Sequence, residues 1–192
     1  MTSSFIPDFF LTFTHFILVV PLIILGYFFI NKKIFLQAIC LVSISMIINV
    51  ALKTTFKIPL PSNLHKIGFA FPSGHTQFAT VLYGWLAFNS KSLTWKILTA
   101  VLLIGVGYGL YYHHYHDIKD IVGGFTTGVV LIGIYYSLLT TLPTRCSLIL
   151  VVTATLLMIY NAWMYRTIPV HADWAYLSLL VGCTLSNKHS VD

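Results

Sequence analysis

Two histidines and an aspartate carry the chemistry open to this chain. His75 ends the tetrapeptide Pro72-Ser73-Gly74-His75, and His116 stands four residues before Asp120. An imidazole held by a carboxylate is a nucleophile with a fixed tautomer. A second imidazole can give a proton and take one back. Ser73 and Gly74 open a helix whose free amides point at an anion, and Lys53 adds a point charge. Phosphoryl transfer asks for this set: an in-line nucleophile, a proton donor for the leaving oxygen, and donors for the equatorial oxygens. On that reading His116 becomes a phosphohistidine while Asp120 orients it. His75 acts as acid and then base, and Lys53, Ser73 and Gly74 hold the phosphate. No cofactor and no metal is required.

The elements that must position these residues are membrane helices. The chain has 192 residues, of which 57% are hydrophobic and 8% charged, and a mean hydropathy of +0.85. A soluble core of this size cannot hide that much apolar surface. Apolar runs predict spans at Phe9–Ile30, Ile34–Leu52, His75–Phe88 (beginning near Ser73), Ile97–Tyr112, Ile121–Leu142 and Leu148–Tyr165, with Ala172–Ser186 a tilted span or surface helix. The expected fold is an all-α integral membrane bundle of about six transmembrane helices. It forms one domain over residues 1–192, with its motif-bearing core at about 34–142 and extra C-terminal helices at about 148–186. The first span lacks a basic leader and a small-residue cleavage site and reads as retained. Residues 53–72 hold three prolines and three lysines and cannot form one regular helix.

Counting crossings brings Lys53, His75, His116 and Asp120 to one membrane face. Lys32, Lys33, Lys91, Lys96 and Arg145 fall on the other, and Lys53, Lys57, Lys66, Lys119 and Arg166 share the motif face. The positive-inside count is a tie. With the motif-face lysines assigned to phosphate, the remaining charges put the site on the outer face of a cytoplasmic membrane. The formal charge of +6 is spread between apolar runs, so the expected partners are the bilayer and a lipid phosphate rather than nucleic acid. Cys40, Cys146 and Cys183 form neither a disulfide framework nor a zinc spacing.

The segment Lys53-Thr-Thr-Phe-Lys-Ile-Pro-Leu-Pro61 resembles the first signature of the type 2 phosphatidic acid phosphatase (PAP2) superfamily, Lys-x6-Arg-Pro. Pro72-Ser-Gly-His75 is similar to its second, and Gly109-Leu-Tyr-Tyr-His-His-Tyr-His-Asp-Ile-Lys-Asp120 to its third, Ser-Arg-x5-His-x3-Asp. The resemblance covers about Phe9 to Leu142. It implies a membrane lipid phosphatase acting without metal, with His116, His75, Asp120, Lys53, Ser73 and Gly74 in the roles given above. The signature arginines are Leu60 and Leu110 here, and leucine does not replace a bidentate guanidinium. His113 or His114, or Arg166 from the sixth span, are the substitutes the sequence offers.

Other readings of the same residues stay open. Ser73 can be a plain helix N-cap, and His116 with Asp120 a surface pair. The histidines invite a metal, but the chain has no glutamate and no repeated histidine box. A headgroup phosphotransferase would suit a site short of arginines, because a phosphodiester carries one charge against about two on a monoester. Sphingomyelin-synthase-type transferases are similar in lacking the third-signature arginine. A non-catalytic binder or carrier of lipid phosphates is the remaining alternative.

Overall fold

The structure, a computed structural model, describes residues 4–61, 64, 68–165 and 168–188. Among them are eight helices: α1 Phe5–Thr12, α2 Phe16–Phe29, α3 Lys32–Phe56, α4 Gly74–Phe88, α5 Leu93–Tyr112, α6 Ile118–Thr141, α7 Pro143–Met164 and α8 Val170–Lys188. α3, α5, α6 and α7 are each long and apolar enough to cross a membrane, and the bent pair α1–α2, taken together, meets the same measure. α4, at 15 residues, extends about 22 Å. It reaches less than a full hydrocarbon core because it lies inside the bundle, packed on α3, α5 and α6. The expected all-α membrane bundle is therefore observed, with the six-helix count approximate.

α3 is the central rod. Of its apolar stretch 72% is buried inside the protein, against 17% for α6 and 22% for α7. The outer helices instead expose Ile17, Ile104, Ile134, Leu156 and Trp163. Such a belt is unstable in water and ordinary against lipid. This is an integral membrane protein.

Parallel and antiparallel neighbours follow from named contacts. α4 and α6 run in the same direction: Gly124 meets Ser73 and Thr76, Gly128 meets Thr80, and Tyr135 packs edge-on to Trp85. A crossover through α5 therefore returns the chain to the face it left, as the crossing count predicts. Gly124-Phe-Thr-Thr-Gly128 is a small-xxx-small seam that lets the two backbones approach closely. α8 runs against α3, its Cys183 Sγ lying 3.9 Å from Cys40 Sγ.

The span expected at Phe9–Ile30 is corrected to two helices bent by 44° at Phe13–His15. The carbonyls released there find partners inside the protein. Tyr83 Oη on α4 donates to Phe13 O at 2.8 Å, and Thr14 Oγ1 donates to Leu11 O at 2.8 Å. A bend inside a bilayer persists only where such groups are satisfied. α1 is held beside α5 by Phe10 and Pro7, which fill the space above Gly105 and Gly109. The irregular segment after α3 is also observed, with Lys57 in the left-handed region at φ 53° and a β-bridge between Pro59 and Phe69.

A Cβ on Gly124 would stand 2.5 Å from the Ser73 carbonyl oxygen, a backbone atom that cannot move alone. Gly124→Ala is expected to destabilise the protein by about 1–3 kcal/mol through overpacking. Gly133→Ala, on the same helix with open space around it, should be neutral or stabilising by up to about 1 kcal/mol. Thermal melts of both variants in one detergent check the contrast.

Candidate active site

The α4 start and the α6 start are joined directly. Ser73 N–H donates to the Asp120 carbonyl oxygen at 2.9 Å. Ser73 is the N-cap of α4, its hydroxyl accepting from Thr76 N–H at 3.5 Å and from the Thr76 hydroxyl at 3.2 Å. It is fully buried, so its side chain serves the helix start while Gly74 faces the cavity. Helix geometry leaves the Gly74 and His75 amides without intrahelical acceptors, as an anion site at a helix N-terminus requires.

On the facing side, His116 Nδ1 lies 3.3 Å from Asp120 Oδ2. The same oxygen accepts from Asp117 N–H at 3.2 Å, which fixes the carboxylate. The pair is buried, with His116 7% and Asp120 5% exposed. A fully exposed surface pair is thereby ruled out. With Nδ1 turned to the carboxylate, Nε2 keeps the lone pair that a nucleophile needs. Burial pushes the His116 imidazole below its ordinary range, and the hydrogen bond to Asp120 opposes that shift. The net direction keeps the ring neutral, hence nucleophilic, at neutral pH.

His75 and His116 line one cavity of about 550 Å³ together with Lys53 and Gly74. Its polar wall continues through Asn49, Gln77 and Ser45, and its apolar wall is Phe16, Met46, Phe78, Leu60 and Leu64. Tyr115, Thr14 and His171 complete the lining. Sequence reasoning missed Asn49, Gln77 and Ser45. Asn49 Nδ2 donates to Pro72 O at 3.2 Å and to Gln77 Oε1 at 2.8 Å, while Gln77 Nε2 donates to Ser45 O and Oγ, both at 2.9 Å. An amide pair inside apolar runs was the available signal, since such groups are costly in a membrane unless they serve one another or a cavity.

The substitutes for the signature arginines fall elsewhere. His113 Nε2 is 2.7 Å from Asp8 Oδ1 on α1, outside the cavity lining, and His114 occupies an exposed turn at φ 55°. Arg166 lies outside the described residues, as do His65 and Lys66. Leu60 sits in the cavity wall, whereas the Leu110 side chain is buried in the core and its carbonyl accepts from the Tyr115 and His116 amides. No group of three or more metal-ligating side chains occurs among the described residues.

An all-α membrane bundle with a polar cavity built by its α4 and α6 starts defines a class of integral membrane enzymes. Residues 33–144 match the family model of the PAP2 superfamily, and the chain belongs to that superfamily, whose members are generally phosphatase-type hydrolases of phosphate esters. No curated protein and no solved structure matches it.

Because Asp120 favours the protonated imidazole, Asp120→Asn is expected to lower the His116 pKa further. A histidine-labelled NMR titration of wild type and variant measures the direction. An upward or absent shift would mean that the pair is not coupled as described.

Proposed function

We propose that this protein hydrolyses a lipid phosphate mono- or diphosphate ester through a phosphohistidine on His116. The observation that carries the reading is the shared cavity. His116, backed by Asp120, and His75 reach it from different helices, with Lys53 beside them. His116 Nε2 attacks phosphorus in line, and the bond from phosphorus to the leaving oxygen breaks. His75 gives that oxygen a proton, then takes one from the water that cleaves the phosphorus–nitrogen bond. Lys53 and the Gly74 and His75 amides hold the equatorial oxygens. The apolar wall of Phe16, Met46 and Phe78 supports a substrate with a lipid tail entering sideways from the bilayer. Placing Lys32, Lys33, Lys91, Lys96 and Arg145 inside supports a site on the outer face of a cytoplasmic membrane. Impermeant thiol labelling of a Lys119→Cys variant in intact cells would fail if that orientation is wrong.

One observation favours a second reading. Leu60 stands in the cavity wall at the position of a signature arginine, and Lys53 is the sole lysine or arginine lining the cavity among the described residues. A site with so few fixed positive charges suits a singly charged diester, as a headgroup phosphotransferase would use.

Purified protein offered radiolabelled phosphatidate, phosphatidylglycerophosphate and undecaprenyl diphosphate, without added metal, tests both. Free phosphate is the expected product and a new phosphodiester the product of the transferase. His116→Ala should cost on the order of a thousandfold or more in kcat, and His75→Ala about 10²- to 10⁴-fold. Turnover that survives His116→Ala would sink the mechanism.

A further inference from the structure

We infer that His171, on α8 and beyond the family-matched region, binds the phosphate of the substrate alongside Lys53. The inference rests on the reading that the cavity takes a phosphate ester. Three observations carry it.

The first is position. His171 lines the same cavity as His75, His116 and Lys53 while remaining solvent-exposed, which puts it on the rim. The second is how it is held. α8 presents Ala172, Ala175, Leu179 and Cys183 as one buried stripe, at i, i+3, i+7 and i+11, and α3 and α8 are the most extensively packed pair in the bundle. Small residues in that stripe let the helices approach closely, and a Cβ on Gly182 would already touch Cys40. Thr155 on α7 and the Tyr176 hydroxyl lie 2.9 Å apart and fix the helix from its other side. With Ala172 fixed at 0% exposure, the neighbouring His171 is carried on a firmly seated turn of α8 at the cavity.

The third is charge. A phosphate monoester carries about two negative charges at neutral pH, and lysine supplies one positive charge. Leu60 contributes nothing to the balance. Among the described residues, Lys53 and Asp173 are the charged groups near enough to act on the His171 ring. The imidazole offers an N–H donor when neutral and a charge when phosphate draws a proton to it. A rim position suits a group that meets the anion first and does not take part in bond breaking. Residues 170–188 then complete the site where the family core leaves it short of donors.

Orthovanadate, a phosphate mimic, tests this without turnover. Its stabilisation of the detergent-solubilised protein is measured by thermal shift for wild type, His171→Gln and His171→Arg. Gln should weaken binding about tenfold, the loss of one charge-assisted hydrogen bond, with the unliganded melting temperature unchanged. Arg, with its fixed charge, should bind as tightly as wild type or more so. In the lipid-phosphate assay the Gln variant should raise KM about tenfold and leave kcat within about threefold, because the interaction is already made in the ground state. Wild-type vanadate affinity in His171→Gln would overturn the inference, and so would lost affinity in a folded His171→Arg protein. Either result leaves the His116 mechanism standing. Turnover that survives His116→Ala would remove the parent reading and this inference with it.

Discussion

The hydrogen bond from Ser73 N–H to the Asp120 carbonyl, 2.9 Å long, is the constraint on which the site depends. It joins the second residue of one motif to the last residue of another, 47 positions later in the chain. It forms because Gly124 has no side chain: any Cβ there would press on the Ser73 carbonyl. The helix starts can then lie side by side, and His75 and His116 share a cavity although each belongs to a different helix. Neither histidine needs a long loop to reach its place. The bond thus sets two helix N-termini side by side at one cavity, in a region where unpaired backbone groups are expensive.

A second layer of polar contacts holds that surface from behind. Asn49 reaches the carbonyl of Pro72, and Gln77 reaches Ser45 one turn deeper on α3. These amides span α3 and α4 in the interior of the bundle, where they have few other partners. Cross-helix hydrogen bonds in membranes average well under 1 kcal/mol when measured, so their main effect here is register. A slip of α4 against α3 would leave several buried amide atoms unpaired at once. The Pro72-Ser73-Gly74-His75 turn therefore has its height in the membrane set by α3 and its lateral position set by α6.

Much of this was legible in the residues. Apolar length predicted the spans, and the crossing count placed the motifs at one end. His116 and Asp120, at one-turn spacing, proved to be a buried pair. The bend at Phe13–His15 was not legible, because the proline in that run, Pro21, lies elsewhere and hydropathy does not register a hydroxyl donated from α4. His113 and His114 looked suited to replace an arginine by proximity in sequence. The chain reverses direction there, and His113 turns to Asp8 on α1. Proximity along the chain is a poor guide across a left-handed turn such as that at His114. His171 is remote in sequence and adjacent in space: a sixth span ending on the motif face carries it to that side, and the packing of α8 on α3 brings it to the cavity.

The two leucines at arginine positions also prove to be different events. Leu110 is 1% exposed within the core. An arginine placed along that direction would have to bury a charge or redirect its stem, so the surrounding packing has been built for an apolar residue. Leu60 lines the cavity, as does Leu64. There the exchange removes a cation from the site and adds apolar surface to it. The first change alters how the loop carrying His116 is packed, and the second alters what the cavity can hold. With Lys53 the one lysine or arginine lining the cavity among the described residues, and Leu60 in its apolar wall, the proposed phosphate site would favour ligands that bring more hydrocarbon and less charge. That shift in balance leaves the His116–Asp120 pair intact, because the contacts that join it lie on the α6 side and involve neither leucine side chain.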